Sequence, residues 1–533
     1  MEVHVLRSPD DAVLEILENL EYKSLLACQT TCRRLRALVA ASVSLQYKIE
    51  LAACGMVDGP RGSQTLDVTE RLRRLRLYDT AWRQLAWTGR SALPYLVGRY
   101  PPPTSGGPSL FFTYGHDVDI EVEAILHISS ELRGVKERHI SFPVHTSHNM
   151  LLDPSQDLLA IAPTSTFPVL PHRCQLLSLS TGEAHFLASI LDPCANIGER
   201  TLIEIRGDLI LEGIRPDPES SDWDYYVWNW RTGDMVSTMP SLTHNGSMCN
   251  HARFLDNNHI LVLGTAEWYE GRPSCIRVIP IAASPLRNVP ILADGAYPPG
   301  HIFILPMFMQ ESTGTQTVYH ADSSPHSASN SGCFHSDPDE RLLSIRVYTR
   351  WYSHASEGLD SLTIDMPLET FRSYIATHPL TGDSVTVPWD EWRQGTRVTR
   401  HDKTLWACYI DYVLTSGMRR INIRKLAPKE LPIVEMLDYH PRRVARAIAR
   451  RRNGGGESET VLFRSDEFDG EVYDDLQTAL PCVLKQIPLP DELAQGWDDQ
   501  RMVECCLCED GVIFMEISPT IDDCITSAWE YRF

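Results

Sequence analysis

The segment SPDDAVLEILENLEYKSLLACQTTCRRLRALV, residues 8–39, determines how the N-terminal part of the chain folds. Its opening Ser8-Pro9-Asp10-Asp11 predicts a helix start, because serine can cap a helix, proline suits the first turn and acidic groups favour the positive end of the helix dipole. Helical spacing then places five apolar side chains on one face. These are Val13, Leu14, Ile16, Leu17 and Leu20.

Two further short helices are expected within the same segment. The second begins near Lys23-Ser24, and the third carries apolar residues at spacings of three and four. Three short helices in fewer than forty residues bury little apolar surface by themselves. Their apolar faces therefore need a partner, which is either the rest of the chain or another protein.

This pattern resembles the F-box motif. The positions that fall in register with that motif are Pro9, Asp10, Asp11, Leu14, Ile16, Leu17, Leu20, Leu25, Leu26, Cys32, Arg33 and Leu35. Two positions depart from it, Ser8 in place of a leucine and Thr31 in place of a common valine. Residues 44–59, SLQYKIELAACGMVDG, are similar to the continuation found in many fungal F-box proteins.

The resemblance implies a binding partner and a set of contact residues. F-box helices dock on the Skp-type linker subunit of SCF, a cullin-RING ubiquitin ligase, so a cullin would be recruited through the linker. The residues that the resemblance places against the linker subunit are Pro9, Ile16, Leu17, Leu20, Leu25, Leu26, Cys32 and Leu35. The alternative is a helical subdomain that packs only on its own chain.

A helical connector is expected after this module. Residues 67–87, DVTERLRRLRLYDTAWRQLAW, read as an arginine-rich amphipathic helix that packs against the next domain. Its predicted buried stripe is Leu72, Leu75, Tyr78, Trp82 and Leu85. The run PPPTSGG at 101–107 marks a boundary. The predicted domains are a helical module at 1–60, a connector at 61–107 and a β domain at 108–533.

The remainder of the chain has the composition of strands and turns, with amphipathic helices nearly absent. Three segments repeat a β-rich run, Thr-Gly and a second β-rich run, at 174–188, 225–239 and 373–389. Each predicts a hairpin whose turn uses the positive φ of glycine. The segment YVWNW at 226–230 is similar to the Trp-Asp strand of WD repeats.

Strongly apolar strands recur at roughly 50–80 residues, a long version of the propeller-blade period. They begin near Leu158, Leu209, Ile260, Leu342, Leu405, Val461 and Val512. The predicted fold class is thus α plus all-β: a small helical module and connector followed by a β-propeller of seven blades. Six or eight blades and a pair of β-sandwiches are the alternatives.

Two insertions interrupt the predicted strands. Residues 311–336 are rich in Ser, Thr and His, which predicts a disordered loop. Residues 442–452, RRVARAIARRR, predict a basic helix within an insertion at 440–457. That helix is a solvated surface feature, a nuclear-import signal or a contact for an acidic partner.

Composition and motifs exclude several classes of function. The net charge of −21 disfavours nucleic acid and anionic membrane surfaces as partners, and indicates a cytoplasmic or nuclear protein. The Cys505-Cys506-Leu507-Cys508 run has no second ligand pair at zinc spacing, so neither a metal nor another cofactor is expected. Gly382-Asp383-Ser384 follows a turn rather than a strand-to-helix elbow, so its serine is not expected to be a nucleophile.

The sequence therefore predicts a non-catalytic adaptor, the substrate receptor of an SCF-type ligase, which binds the linker subunit with its helices and an unknown target protein with its β domain. A non-degradative F-box scaffold and a small-molecule or glycan-binding propeller are the rival hypotheses.

Overall fold

A computed structural model describes most of the chain. The described residues are 8–59, 66–87, 89–93, 104–106, 109–116, 119–127, 130–136, 138–144, 148–163, 174–189, 199–215, 223–239, 252–264, 275–281, 299–306, 318–323, 332–352, 357–401, 415–424, 432–453, 460–463, 478–494, 502–517 and 525–532.

Four consecutive helices open the described chain. They are α1 (Asp10–Glu18), α2 (Tyr22–Thr31), α3 (Arg33–Ala41) and α4 (Val43–Ala53). The predicted helix start is confirmed, because α1 begins at Asp10 and has both aspartates in its first turn. The N-cap residue, however, is Pro9 and not the predicted Ser8. The Ser8 carbonyl instead accepts a hydrogen bond from the Arg34 guanidinium, which joins the start of α1 to α3.

These helices enclose a small core of their own. Five side chains are almost completely buried in it: Val13, Leu17, Leu25, Val39 and Leu45. They come from α1, α2, α3 and α4, so each helix contributes at least one of them. The module is therefore held together by a few contacts between helices that are individually too short to be stable alone.

The connector helix forms as predicted. Strand β1 (Met56–Asp58) precedes α5 (Val68–Gln84), where the Asp67 carboxylate caps the helix by accepting from Glu70 N at 2.7 Å. All five residues of the predicted stripe are buried, which confirms it. Because α5 buries a wide face and not merely an edge, it acts as a structural element of the next region rather than as a flexible tether.

The rest of the described chain is largely β-sheet. The strands that follow α5 are β2 (Gly89–Ala92), β3 (Thr104–Gly106), β4 (Ser109–His116), β5 (Asp119–His127), β6 (Arg138–Val144), β7 (His148–Asp153), β8 (Leu158–Pro163), β9 (Gln175–Ser178), β10 (Glu199–Arg206), β11 (Leu209–Arg215), β12 (Asp224–Asn229), β13 (Met235–Met239), β14 (Ala252–Phe254), β15 (His259–Gly264), β16 (Cys275–Pro280) and β17 (His301–Ile304).

The second half adds helices between its strands. Its elements are β18 (Val318–Ser323), β19 (Phe334–Ser336), β20 (Leu342–Tyr352), β21 (Glu357–Pro367), α6 (Leu368–Thr377), β22 (Val385–Val387), α7 (Trp389–Trp392), β23 (Arg397–His401), β24 (Thr415–Ser416), β25 (Arg419–Arg424), β26 (Ile433–Asp438), α8 (Pro441–Arg452), β27 (Thr460–Leu462), β28 (Cys482–Pro488), α9 (Asp491–Ala494), β29 (Met502–Cys508), β30 (Gly511–Ile517) and β31 (Ile525–Arg532).

Within the described residues these strands form seven sheets of three to five strands, numbered here in chain order, and a two-stranded pair β1-β19. Their strand orders are β3-β4-β5-β6, β7-β8-β9, β10-β11-β12-β13, β14-β15-β16-β17-β22, β18-β20-β21-β23, β24-β25-β26-β28-β27 and β2-β31-β30-β29. Neighbouring strands are antiparallel throughout, apart from the parallel pair β17 and β22. Each sheet is therefore assembled mainly from consecutive strands.

The seventh sheet joins the two ends of the β region. Strand β2 pairs antiparallel with β31, with Gly89 opposite Arg532 and Ala92 opposite Trp529. The first strand of this sheet thus lies before the Pro/Gly-rich run at 101–107 that was the expected boundary. Because the pairing spans most of the chain, the last sheet cannot form until both ends have come together.

A large core lies where the helices meet the sixth and seventh sheets. Tyr78 and Trp82 of α5 are buried there with Phe334 of β19, Phe514 of β30 and Tyr531 of β31. The Tyr78 and Phe334 rings meet edge to face with centroids 5.4 Å apart. This core fixes the helical region on the β region.

The repeated Thr-Gly phrase has two different outcomes. At 225–239 it forms the predicted hairpin, with β12 paired to β13 and Gly233 at φ 72°. At 373–389 the hairpin prediction is wrong, because the first half belongs to helix α6. Leu368 and Phe371 are buried and Ile375 packs beside them, a helical spacing that overrides the β-rich composition.

The predicted disordered loop at 311–336 is also wrong in part. Strand β18 pairs along its whole length with β20, and β19 pairs with β1. Backbone hydrogen bonds to a neighbouring strand hold these polar segments, although their composition alone predicts disorder. Residues 311–317 and 324–331 lie outside the described part of the chain, as does the predicted apolar strand near Leu405.

The basic segment at 442–452 is helical as predicted, within α8. In the described part of the chain, no helix has the length and apolar character required to cross a membrane.

Candidate protein-binding surface of the helical module

Two large apolar side chains project from the first two helices into solvent. Ile16 on α1 is 50% exposed and Leu26 on α2 is 38% exposed. Pro9, at the N-cap of α1, is also exposed. Single exposed apolar residues are ordinary, but here they lie on two adjacent helices of a module with a small core. We call Pro9, Ile16 and Leu26 the exposed apolar set.

Three of the predicted contact residues are half-buried: Leu20, Cys32 and Leu35. Leu20 and Leu35 pack against the module core. Cys32 is the N-cap of α3, where its Sγ accepts from Leu35 N at 3.5 Å. These residues expose part of their surface and also support the helix packing.

The remaining two predicted contact residues, Leu17 and Leu25, are buried inside the module. Each is in the core with Val39. Their side chains are covered by the module's own helices, so in this conformation they shape the outer surface by fixing the helix positions. Direct contact of all eight residues with a linker subunit remains a prediction.

Polar contacts fasten the helices that carry this surface. The Arg34 guanidinium of α3 pairs with Asp10 at the start of α1, with Nε 3.0 Å from Oδ1. At the other end of α1, Ser44 Oγ donates to Glu18 Oε1 at 2.7 Å. Lys48 Nζ of α4 donates to the Glu18 carbonyl at 3.1 Å. Both ends of α1 are therefore tied to later helices.

Helix α8 fastens the module to the sixth sheet. Arg446 of α8 pairs with Glu50 of α4, with Nη2 and Oε2 2.7 Å apart. The Arg442 guanidinium lies over the Tyr22 ring of α2 at 3.3 Å from its centroid. The basic helix is thus a structural contact between the F-box-like helices and the β region.

Arg443 is the buried centre of this contact. Its Nη1 donates to Asp438 Oδ2 at 2.9 Å, and its Nη2 donates to the Cys54 carbonyl at 3.1 Å. Asp79 of α5 lies 3.4 Å from Nη2. One guanidinium therefore joins the end of α4, the connector helix and strand β26.

The carboxylates beside Arg443 are held in their charged form. Burial on its own would raise the pKa of Asp438, but Arg443 and Arg419 outweigh it and hold this pKa below its usual range. Burial likewise opposes ionisation of Asp79, and Arg443 and Arg83 again lower its pKa. These residues form a buried ion-pair network, in which removing one charge would leave another without its partner.

A second fastening runs through Tyr47 of α4. Its hydroxyl donates to Asp58 Oδ1 at 2.8 Å and lies 3.1 Å from the Cys333 carbonyl oxygen. Burial and the bond to Asp58 raise the pKa of Tyr47, so the hydroxyl remains a donor. The sequence did not predict the contacts of α8 with the helical module or the contacts of Tyr47. It did show the basic composition of residues 442–452, which supply the arginines of the α8 contact.

The other chemical candidates offer no assembled site in the described residues. Cys505 is buried in β29, and within the described ranges no group of three or more His, Cys, Asp and Glu side chains could hold a metal. Ser384 Oγ accepts from Gly300 N at 3.3 Å in the turn between α6 and β22.

Comparison with protein families identifies the N-terminal module. The profile described as "F-box domain" matches residues 9–45. These residues span α1 to α3 and the start of α4, and they include the exposed apolar set and all eight predicted contact residues. The chain therefore contains an F-box domain, a protein-interaction module, at its N-terminal end.

Comparisons over the whole chain are less informative. No curated protein sequence matches it. Among solved structures, it is similar to the polysaccharide lyase Uly1, at 7% identity and a TM-score of 0.38, covering 82% of this chain and 90% of that one. It is also similar to the extracellular domains 1–2 of Drosophila semaphorin 1b, at 10% identity and a TM-score of 0.33, covering 80% and 86%. Neither similarity is close enough to support a functional argument.

Proposed function

We propose that this protein is the substrate receptor of an SCF-type cullin-RING ubiquitin ligase. The observation that carries the proposal is an F-box domain with exposed Ile16 and Leu26, within a helical module that Arg443 joins to a large β region through the end of α4. The Skp-type linker subunit binds the helical module and brings the cullin with it. The predicted contact set of Pro9, Ile16, Leu17, Leu20, Leu25, Leu26, Cys32 and Leu35 belongs to this proposal.

The receptor does no bond chemistry in this mechanism. It holds a target protein near the ubiquitin-charged enzyme, which raises the effective concentration of target lysines there. A rigid connection between module and β region favours this role, because a fixed geometry places the bound target reproducibly. The proposed activity belongs to the cytoplasm or the nucleus.

The proposed target-binding part is a seven-bladed β-propeller formed by the β region. Seven successive, mainly antiparallel sheets support this arrangement, as does the pairing of β2 with β31, which brings strands from both ends of the region into one sheet. In a propeller the loops of many blades form one receptor face, so target contacts would come from distant parts of the chain.

The test of the proposal compares exposed apolar residues inside and outside the F-box domain. The double variant Ile16→Asp, Leu26→Asp should bind the linker subunit at least about a hundredfold more weakly, because roughly 3 kcal/mol is lost when two carboxylates are buried unpaired. Leu77→Asp is the matched control, since Leu77 is 44% exposed on α5. It should bind the linker subunit like the wild type.

Thermal melts must accompany the binding measurements. Both variants should melt like the wild type, because exposed substitutions usually change stability by less than about 0.5 kcal/mol. Leu17→Asp is unsuitable as a probe, since it places a carboxylate in the module core. Equal linker binding by the double variant and the wild type would refute the receptor hypothesis.

A further inference from the structure

Lysine is rare in this chain and absent from its middle half. The sequence has seven lysines against 42 arginines, although lysine is among the commonest residues of soluble proteins. The lysines are Lys23, Lys48, Lys136, Lys403, Lys425, Lys429 and Lys485. Residues 137–402 contain none.

The lysine-free stretch corresponds to a structural unit. The second to fifth sheets are built from strands β7 to β18 and β20 to β23, all of which fall within it. Among the described residues between their strands, positions such as Glu183 and Gln394 are open to solvent. An exposed surface of this extent ordinarily carries lysine and arginine together.

The described lysines lie in or near the helices. Lys23 and Lys48 are in α2 and α4. Lys136 follows the turn whose Glu131 carbonyl accepts from Arg74 of α5 at 3.0 Å. Lys485 of β28 lines the crevice that also contains Asp79 and Arg83 of α5.

Structural need explains only some of the arginines in the lysine-free sheets. Arg200 and Glu212 form a fully buried pair at 2.6 Å, where a planar guanidinium offers several donors. Arg231 is more exposed, but it pairs with Asp208, lies over the Trp230 ring and donates to Gln156 Oε1 at 3.0 Å. A lysine at an exposed position such as Gln394 would instead change stability by less than about 0.5 kcal/mol. Folding alone therefore does not account for the missing lysines.

The chemistry of ubiquitin transfer supplies a reason. A neutral lysine amine attacks the thioester carbonyl that links ubiquitin to its carrier enzyme; the new C–N bond forms, the C–S bond breaks, and the sulfur leaves with the proton that nitrogen loses. Arginine, which stays protonated, cannot act as this nucleophile. A receptor held in the ligase exposes its own lysines continuously, whereas a target visits only while bound.

We propose that the lysine-free surface of the second to fifth sheets protects the receptor from its own ligase, so that ubiquitin passes to the bound target. This inference rests on the proposed function. It predicts that a single lysine restored on those sheets becomes a modification site.

The experiment uses the full chain with a lysine-containing C-terminal tag, assembled with linker subunit, cullin, RING subunit and the ubiquitin-carrying enzymes. Glu183→Lys, Arg231→Lys and Gln394→Lys are compared with the charge-matched Glu183→Arg and Gln394→Arg and with the wild type. Mass spectrometry of each position reports the modification. Each introduced lysine should raise ubiquitination of the β region about tenfold, and the arginine variants should match the wild type.

Two results would overturn the inference, and they are distinguishable. If the tag is modified but lysine and arginine variants carry equal ubiquitin on the β region, the lysine-free surface gives no protection and the proposed function stands. If the linker subunit does not bind and the tag stays unmodified in every variant, the proposed function fails and the inference fails with it.

Discussion

The two halves of the helical region have opposite relations to the rest of the molecule. Helices α1 to α3 and the start of α4 form a small core and leave Ile16 and Leu26 exposed. The end of α4 and the whole of α5 instead enter the core shared with β19 and the sixth and seventh sheets. Amphipathic helices thus serve two purposes here. The first half of the helical region, α1 to α3, is available for a partner, and the second half, the end of α4 with α5, is anchored in the β region.

The difference lies in what satisfies the apolar faces. Leu75, Tyr78 and Trp82 of α5 meet side chains from strands that come hundreds of residues later. The outer faces of α1 and α2 have no comparable cover among the described residues, except the Arg442 contact with Tyr22. An anchored half with an uncovered half is the arrangement expected of an adaptor.

The largest expected effect comes from breaking the anchored half. A chain ending at residue 511 lacks most of β30 and all of β31, which removes Val512, Phe514 and Tyr531 from the shared core. Each large side chain is worth roughly 1.5–3 kcal/mol of burial, so their loss is comparable to a typical total stability of about 5–15 kcal/mol. Strand β2 would also lose its partner and leave exposed edges.

The measurement is soluble yield and a cooperative melt of the truncated chain beside the full chain. We expect aggregation and no cooperative transition. A soluble, monomeric truncation with a sharp melt would show that the seventh sheet is dispensable, and would count against ring closure by β2 and β31.

The next prediction compares the loss of stability when a buried and a partly exposed ion pair of α8 are removed. Arg443→Met leaves Asp438 and Asp79 without their shared partner and should cost about 3–5 kcal/mol of unfolding free energy. Arg446→Met, one turn away, removes only a partly exposed pair with Glu50 and should cost about 0–1 kcal/mol. The side chains are 6% and 34% exposed, respectively.

Denaturant unfolding of both variants measures the difference. Arg443→Met should also loosen the position of the F-box domain relative to the β region. Chemical cross-linkers of known length that join the helical module to the β region should therefore report a broader range of distances. If both variants lost the same unfolding free energy, the buried ion pairs of Arg443 would stabilise the protein no more than the partly exposed pair of Arg446.

Local patterns made much of this comparison predictable. The F-box register located α1 to α3, and the spacing of Leu72, Leu75 and Tyr78 gave the buried stripe of α5, because both depend on nearby residues only. Which apolar residue of α1 faces outward was not predictable. Ile16 and Leu17 are adjacent in one apolar pattern, and helix packing alone exposes the first and buries the second.

Long-range pairing was beyond the sequence signals. The segment Gly89-Arg90-Ser91-Ala92 has no strand pattern, and only its register with β31 makes it a strand. The polar strand β18 is held in the same way by β20. Helix α6 was misread because a Thr-Gly turn followed it, although its Leu368, Phe371 and Ile375 have helical spacing.

The smallest expected effect concerns a pH dependence inside the anchored half. Arg133 is the shared cation of Glu509 and Asp510, with Nη1 2.8 and 2.6 Å from their oxygens, and all three are buried. One cation cannot neutralise two buried carboxylates. Burial raises the pKa of Asp510 to about 6, with Arg133 opposing and Glu509 adding to the rise.

A raised pKa means that folding takes up a proton on Asp510. This contribution is fully present below the unfolded pKa of about 3.9 and is lost as the pH rises through about 6. Its size is roughly 2–3 kcal/mol at 1.36 kcal/mol per pKa unit. Asp510→Asn removes the titrating group and keeps the shape, so the variant should gain stability relative to the wild type as the pH rises from 4 to 7. Urea unfolding of both chains at pH 4.5, 5.5, 6.5 and 7.5 tests this prediction. If the difference in stability between them stays constant across that range, Asp510 is ionised in the folded protein at every pH measured.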